Sequence, residues 1–269
     1  MKILTNLLKY TVLILLTILF ASCDKDEVDK FVNTRTVENV IEDFSFLQFN
    51  EGINDIEMEG TFSNVVWRFR VIVPEGASQL NKRPLIVCLH GAATTIDPQI
   101  HTYTTCLEEP GLAALDAYLL CPNSEGWPWT GIPEQEKVLT LTSLVKSNLH
   151  VDQNKVAIMG YSDGGIGAWY YAQYYPEAFS AAIPMASLYN PVRPEENIPI
   201  KIDIPLYVIH GENDQLFDLR ITQGYVETSI TAGTDIKFVI APELDHYNSC
   251  NYVPYLEDAA TWLQTEVWN

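Results

Sequence analysis

The chain is poor in basic residues. Lysine and arginine number 16 against 35 aspartates and glutamates, a formal charge of −19. A chain this acidic has no electrostatic footprint for nucleic acid or for an anionic membrane surface, and no basic patch supplies one. Internal repeats and extended low-complexity tracts are missing, so a solenoid or array is excluded. The five cysteines contain no C-x-x-C pair, and a structural zinc site is not expected. What is present suits one large α/β domain: 269 residues, 47% of them apolar, with 14 tyrosines and 6 tryptophans. Rings in that number serve a core, and they also line clefts for sugars and aromatic acyl groups.

The N-terminus reads as a targeting segment. Lys2 and Lys9 flank the start of an apolar run from Leu7 through Phe20, and Ala21-Ser22-Cys23 follows. A basic region, an apolar run and small residues at its end make a secretory signal. An uncleaved anchor is the alternative, and Cys23 decides against it. Phe20-Ala21-Ser22-Cys23 resembles the lipobox of bacterial lipoproteins, with Phe20 in place of the usual aliphatic residue. The resemblance implies cleavage after residue 22, lipidation of Cys23, and a chain held at the membrane by that lipid. Asp24-Lys25-Asp26-Glu27 resembles the surface-export signal of some Gram-negative lipoproteins, which places the protein in the cell envelope, at the outer membrane and facing outward. Loss of residues 1–22 removes two lysines and no acids, so the mature charge is −21. Residues 23–43 are expected to be a weakly structured tether, leaving 44–269 as the folded domain.

The envelope is oxidising, so disulfides are allowed. Beyond Cys23, the cysteines Cys88, Cys106, Cys121 and Cys250 permit three pairings, and spacing does not select one. Cys88 and Cys121 lie in apolar strand-like runs, where a free buried thiol is the commoner state. Cys106 and Cys250 lie in polar surroundings and are the better pair for a bridge.

Apolar runs recur along the domain: Val65–Val73, Pro84–Leu89, Ala117–Cys121, Lys155–Met159, Ala181–Met185, Pro205–Ile209 and Asp235–Ile240. Glu134–Leu149, Gly164–Tyr175 and Val253–Trp268 carry helical spacing. Continuous apolar strands alternating with helices predict a mostly parallel sheet covered on both faces. Polar, glycine-rich segments follow the strand ends, where open α/β sheets place their sites.

One of those segments is Gly160-Tyr161-Ser162-Asp163-Gly164, between a strand and a helix. A serine hydroxyl needs a base to take its proton, a carboxylate to orient that base, and donors for the oxyanion formed on attack. G-x-S-x-G puts a serine on a tight strand-to-helix turn; a plain helix N-cap is the bland reading. His246 is the only histidine after Gly211 and lies in a loop beyond the last strand. Asp214 follows the strand ending at His210-Gly211; Asp218 and Asp245 are weaker rivals for the acid. The oxyanion donors are expected at the backbone N–H of Asp163 and of Ala92, with Ala93 as runner-up. His90 reads as a structural part of the turn that carries Ala92.

With Ser162, Asp214 and His246 in that order, the chain resembles the α/β-hydrolase superfamily. It looks most like the secreted esterases related to polyhydroxybutyrate depolymerases, feruloyl esterases and predicted peptidases. Pro84–Gly91, Val151–Gly165, Tyr175–Pro184 and Ile209–Asp214 carry the likeness. It implies ester hydrolysis through an acyl-enzyme, with no metal or organic cofactor. Asp163 departs from the Met or Gln of many relatives, and a carboxylate there disfavours anionic substrates. Ala93 departs from their glycine.

Met185 to Pro205 leaves room for a loop or short helix and for no large cap, so the lid is minimal and the cleft open to a bulky or polymeric ester. Trp127 and Trp129, in a Gly/Pro loop, are candidates to stack on sugar or aromatic acyl groups, or simply cover the core. Tyr189 and Tyr247 are further candidates. Three functions compete: an envelope carboxylesterase acting on acylated or feruloylated polysaccharide, a serine peptidase of the same fold, and a glycan-binding surface lipoprotein with a vestigial triad.

Overall fold

The computed structural model describes residues 35–61, 65–92, 96–193, 196 and 198–269. Cys23, the signal segment and Ala93 lie outside the described residues. An eight-stranded sheet organises the rest, in the order β1-β2-β4-β3-β5-β6-β9-β10. The edge strands β1 (Gly52–Glu59) and β2 (Val66–Val73) run antiparallel to each other, and β2 antiparallel to β4 (Tyr118–Pro122). From β4 onward the sheet is parallel: β3 (Arg83–Leu89), β5 (Val151–Tyr161), β6 (Ala181–Met185), β9 (Leu206–Gly211) and β10 (Ile236–Ala241).

The central strands are apolar throughout because both of their faces are covered. Leu85, Val87 and Leu89 of β3 point to one core, with Ile158 of β5. Ile86 and Cys88 point to the other, with Ala157 and Met159. Helix α3 (Ile132–Asn148) brings Val138, Leu141 and Val145 to the first core, and α4 (Asp163–Tyr174) brings Ala168 and Trp169. The short helix α2 (Glu108–Leu112) and the C-terminal α6 (Val253–Trp262) cover the second, through Leu112, Leu256 and Trp262. Helix α5 (Leu219–Thr231), which the sequence reading leaves unassigned, adds Val226 to the first. Between β6 and β9 the described residues form a small hairpin, Val192–Arg193 (β7) against Ile198–Pro199 (β8), and no large cap.

Part of the segment expected as tether is folded. Val37–Ser45 forms a helix (α1), and Val40 and Phe44 on one of its faces are fully buried. Phe44 stacks on Phe69 of β2 at 6.3 Å, and Arg35 pairs with Asp43 at 2.6 Å. The apolar residues recur as Val37, Val40, Ile41 and Phe44, a helical period that the acidic stretch upstream obscures. The folded part therefore includes 35–43. Truncating Phe44 to alanine is expected to cost about 3–5 kcal/mol, as for other buried aromatics. Urea unfolding checks this, and an unchanged midpoint would return the segment to tether status.

Cys106 and Cys250 form a disulfide, and Cys88 and Cys121 are free and buried. The bridge spans 144 residues of sequence and joins the segment after β3 to the one entering α6. Closing so long a loop strongly restricts the unfolded chain, so the Cys106→Ala/Cys250→Ala protein is expected to lose about 2–5 kcal/mol. Denaturant midpoints compared at equal slope measure the loss.

Candidate active site

Ser162 sits at the junction of β5 and α4 with φ 58° and ψ −116°. Such a backbone is costly for a residue with a Cβ, and it turns the hydroxyl out above the sheet. The flanking glycines permit the turn. A Cβ on Gly160 would run into the Gly164 carbonyl, and one on Gly164 into the Leu89 carbonyl at the end of β3. The turn is tied down by Ser162 N–H donating to the Met185 carbonyl at 3.0 Å.

The loops after β9 and β10 bring the other two groups. Ser162 Oγ lies 2.8 Å from His246 Nε2, and His246 Nδ1 lies 2.8 Å from Asp214 Oδ2. A carboxylate only accepts, so Nδ1 carries the proton and Nε2 is left to accept the serine hydroxyl. Asp214 Oδ1 accepts the backbone N–H groups of Leu216 (2.9 Å) and Phe217 (2.8 Å). Burial raises the Asp214 carboxyl, but the bonds from His246 and these N–H groups outweigh it, and the group stays below the usual carboxylate range. Asp214 is thus held ionised at neutral pH. The rival acids are committed elsewhere. Asp218 caps α5 and pairs with Arg220 at 2.7 Å, and Asp245 accepts the N–H groups of Tyr247 and Asn248.

Several supports escaped the sequence reading. Tyr161 and Tyr252 donate their hydroxyls to the carbonyls of His246 (2.8 Å) and Asp245 (3.0 Å), pinning the histidine loop to the sheet. The Phe217 ring stands edge-on to the His246 ring at 5.2 Å. His210, fully buried, donates from Nε2 to the Phe217 carbonyl at 2.8 Å. The parallel pairing of β9 with β10 sets the Asp214 and His246 loops side by side.

The donor side is built from β3. Gly91 passes so close to Ser162 that a Cβ on it would stand 3.3 Å from Ser162 Cβ. Ala92 follows and, with Asp163, lines a cavity of about 370 Å³. Asp163 opens α4, so its N–H belongs to the first helical turn, whose amides have no intrahelical acceptor. Burial raises the Asp163 carboxyl. His90 is part of the turn: Nδ1 donates to the Gly91 carbonyl at 2.7 Å and Nε2 accepts the Ser124 N–H at 3.0 Å. Burial lowers it to about 4, which keeps it neutral.

The two loop tryptophans divide. Trp127 is 59% exposed and borders the 370 Å³ cavity. Trp129 is 1% exposed, and its indole N–H donates to the His90 carbonyl at 2.9 Å. Trp129 is therefore no substrate-facing residue; it wedges the donor loop against the core, beside a Gly167 whose Cβ would strike its side chain. Tyr189 stacks on Trp169 at 5.8 Å and is likewise packing, whereas Tyr247 stands 70% exposed beside His246.

A mostly parallel sheet flanked by helices, with a serine elbow and a histidine and an aspartate at successive strand ends, is the arrangement of the α/β-hydrolase fold. The chain belongs to the dienelactone hydrolase family, whose model matches residues 133–267, half of the sequence. Comparison with curated proteins gives no match. Among solved structures, a thermostable esterase is similar at 20% identity and TM-score 0.64, over 79% of this chain and 62% of that one. The chain thus spans under two thirds of that esterase's length. A hyperthermophilic esterase of the archaeon Pyrobaculum calidifontis is similar at 16% identity and TM-score 0.61, over 86% and 92% of the two chains. An S-formylglutathione hydrolase of Agrobacterium tumefaciens follows at 18% identity and TM-score 0.61, over 82% and 98%.

Proposed function

We propose that the protein is a serine carboxylesterase that works through an acyl-enzyme on Ser162. The reading is carried by the unbroken chain Ser162 Oγ, His246, Asp214, with both links at 2.8 Å. His246 takes the Ser162 proton as Oγ attacks the ester carbonyl, and Asp214 stabilises the imidazolium that results. The backbone N–H groups of Asp163 and Ala92 receive the oxyanion. On collapse His246 returns the proton to the leaving alcohol, and a water then repeats the sequence on the acyl-enzyme.

The substrate class follows from the cleft. The lid is a small hairpin, so bulky and polymeric esters have access. Exposed Trp127 offers a face for a sugar or aromatic ring, and the Asp163 carboxylate disfavours anionic arms. These features favour acylated or feruloylated polysaccharide. The lipobox resemblance adds the location: an envelope protein tethered through lipidated Cys23. A fluorophosphonate probe tests the mechanism. The expected result is one adduct per chain, mapped by peptide mass to Ser162, with loss of p-nitrophenyl acetate turnover in proportion. Turnover of peptide amides with none of esters would shift the reading to a peptidase; an adduct elsewhere would refute it.

A further inference from the structure

Beside the donor loop lies a second cavity, of about 210 Å³. Gly91, Ala92 and Tyr161 line it next to Ser162, and Leu107, Cys88 and Cys121 line it further in. Its walls mix these apolar groups, the free thiols behaving as small hydrophobic groups, with polar side chains such as His101, Tyr103, Thr104 and Ser249. Glu108, at the start of α2, also lines it and is only 9% exposed. Among the described residues no cation pairs with Glu108, and its one hydrogen bond comes from its own backbone N–H. The Arg70 guanidinium, 3.9 Å from the neighbouring Glu109, is committed to Asp55 at 2.7 Å. The other buried polar groups of the lining are also engaged: His101 with Asn123 at 3.0 Å, Thr104 with Arg70 at 2.8 Å.

A carboxyl this buried, with no partner beyond its own backbone N–H, is costly to ionise. Burial and the charge of Glu109 push Glu108 up to about 7, so near neutral pH much of it is the uncharged acid. That acid offers one O–H donor and a carbonyl acceptor, the complement of a hydroxyl. A charged ligand would have to shed its water in a pocket that offers it no counter-charge but Glu108 among the described residues. Dry cavities of about 150 Å³ already admit a benzene ring, so this one is large enough for a ring with a substituent.

We propose that this cavity is the pocket for one arm of the ester, that it selects a compact uncharged arm bearing a hydroxyl, and that Glu108 binds that hydroxyl. The term ester rests on the esterase reading above; the pocket's preference for a hydroxyl does not.

Phenol and toluene, which differ by a hydroxyl against a methyl, test the pocket. Each is measured as a competitor of p-nitrophenyl acetate hydrolysis, and by ligand-observed NMR on the Ser162→Ala protein, where no turnover is needed. Without Glu108 the pocket, whose other buried polar groups are engaged, prefers toluene. The expected result is phenol binding about five- to tenfold tighter than toluene, the effect of one buried hydrogen bond. Glu108→Leu reverses the order, and Glu108→Gln, which keeps a donor and an acceptor, restores it. Toluene binding as well as phenol to the wild-type protein overturns the proposal whatever the variants do. An unchanged ratio in folded Glu108→Leu also overturns it, and with ester turnover intact the esterase reading stands. Glu108-dependent phenol binding without any ester turnover upholds the pocket and removes the esterase reading instead.

Discussion

Replacing Ser162 by alanine lowers kcat on an activated ester by about 10⁵- to 10⁶-fold, the range found when a triad nucleophile is removed. Without Oγ, His246 has only water to activate, and water is not held 2.8 Å from Nε2 by a covalent frame as Oγ is. The oxyanion donors and the cleft survive the change, so a residue of activity about 10³- to 10⁴-fold above the uncatalysed rate remains. Alanine keeps the Cβ and hence the same φ of 58° at the elbow, so the melting temperature is expected to move little. Initial rates and a thermal melt on the same preparation make the measurement. A loss smaller than about a hundredfold would place the nucleophile elsewhere.

Asp214→Asn is the second large effect, about 10⁴-fold in kcat with the fold intact. The direction follows from the hydrogen bonds. Two backbone N–H groups, from Leu216 and Phe217, point at Oδ1 and fix the amide oxygen there. The amide nitrogen must then occupy the Oδ2 position and donate to His246 Nδ1. That forces the imidazole proton onto Nε2, where it faces the serine hydroxyl instead of accepting from it. The loop keeps its backbone bonds, so the loss is chemical and not structural. Rates beside a melting curve separate the two. A loss under about tenfold would return the orienting role to Asp218 or Asp245.

The sheet was legible because its strands are covered on both faces. Pro84–Leu89 and Ala181–Met185 read as unbroken apolar runs and appear as β3 and β6 within a residue at each end. β1 was not legible: it is an edge strand, with Ile53 half exposed among acids and asparagine. Helix α1 was hidden for a different reason. Four apolar residues at helical spacing carry little weight behind a charged stretch, and only two of them, Val40 and Phe44, are buried, with Phe44 packed on Phe69.

The site divides along the same line. Ser162, Asp214 and His246 were recoverable because chain order, strand ends and residue type all constrain them at once. The cysteine pairing was narrowed by polarity of surroundings, and the structure forms the bridge between Cys106 and Cys250. The tryptophans two residues apart were not separable. Both sit in one Gly/Pro loop, and what distinguishes Trp129 is a bond to the His90 carbonyl from 39 residues away. Glu108 left no signal at all, because a glutamate opening a helix is ordinary until its surroundings are known.

The order of the strands has a consequence for how this scaffold changes over time. Nucleophile, acid and base all stand on β5, β9 and β10, inside the family-matched residues 133–267. Trp127, Glu108 and Ala92, which border the cavities, come from the first half of the chain. The three reacting side chains and most of the cavity lining therefore come from separate stretches of the chain, with Ala92 serving both and Tyr161, Asp163 and Ser249 lining the cavities from the second stretch. Substitutions before residue 133 and outside the Gly91–Ala92 turn can reshape the cleft while the three reacting side chains keep their frame, and a recombination event near that point would exchange most of the cavity lining in a single step.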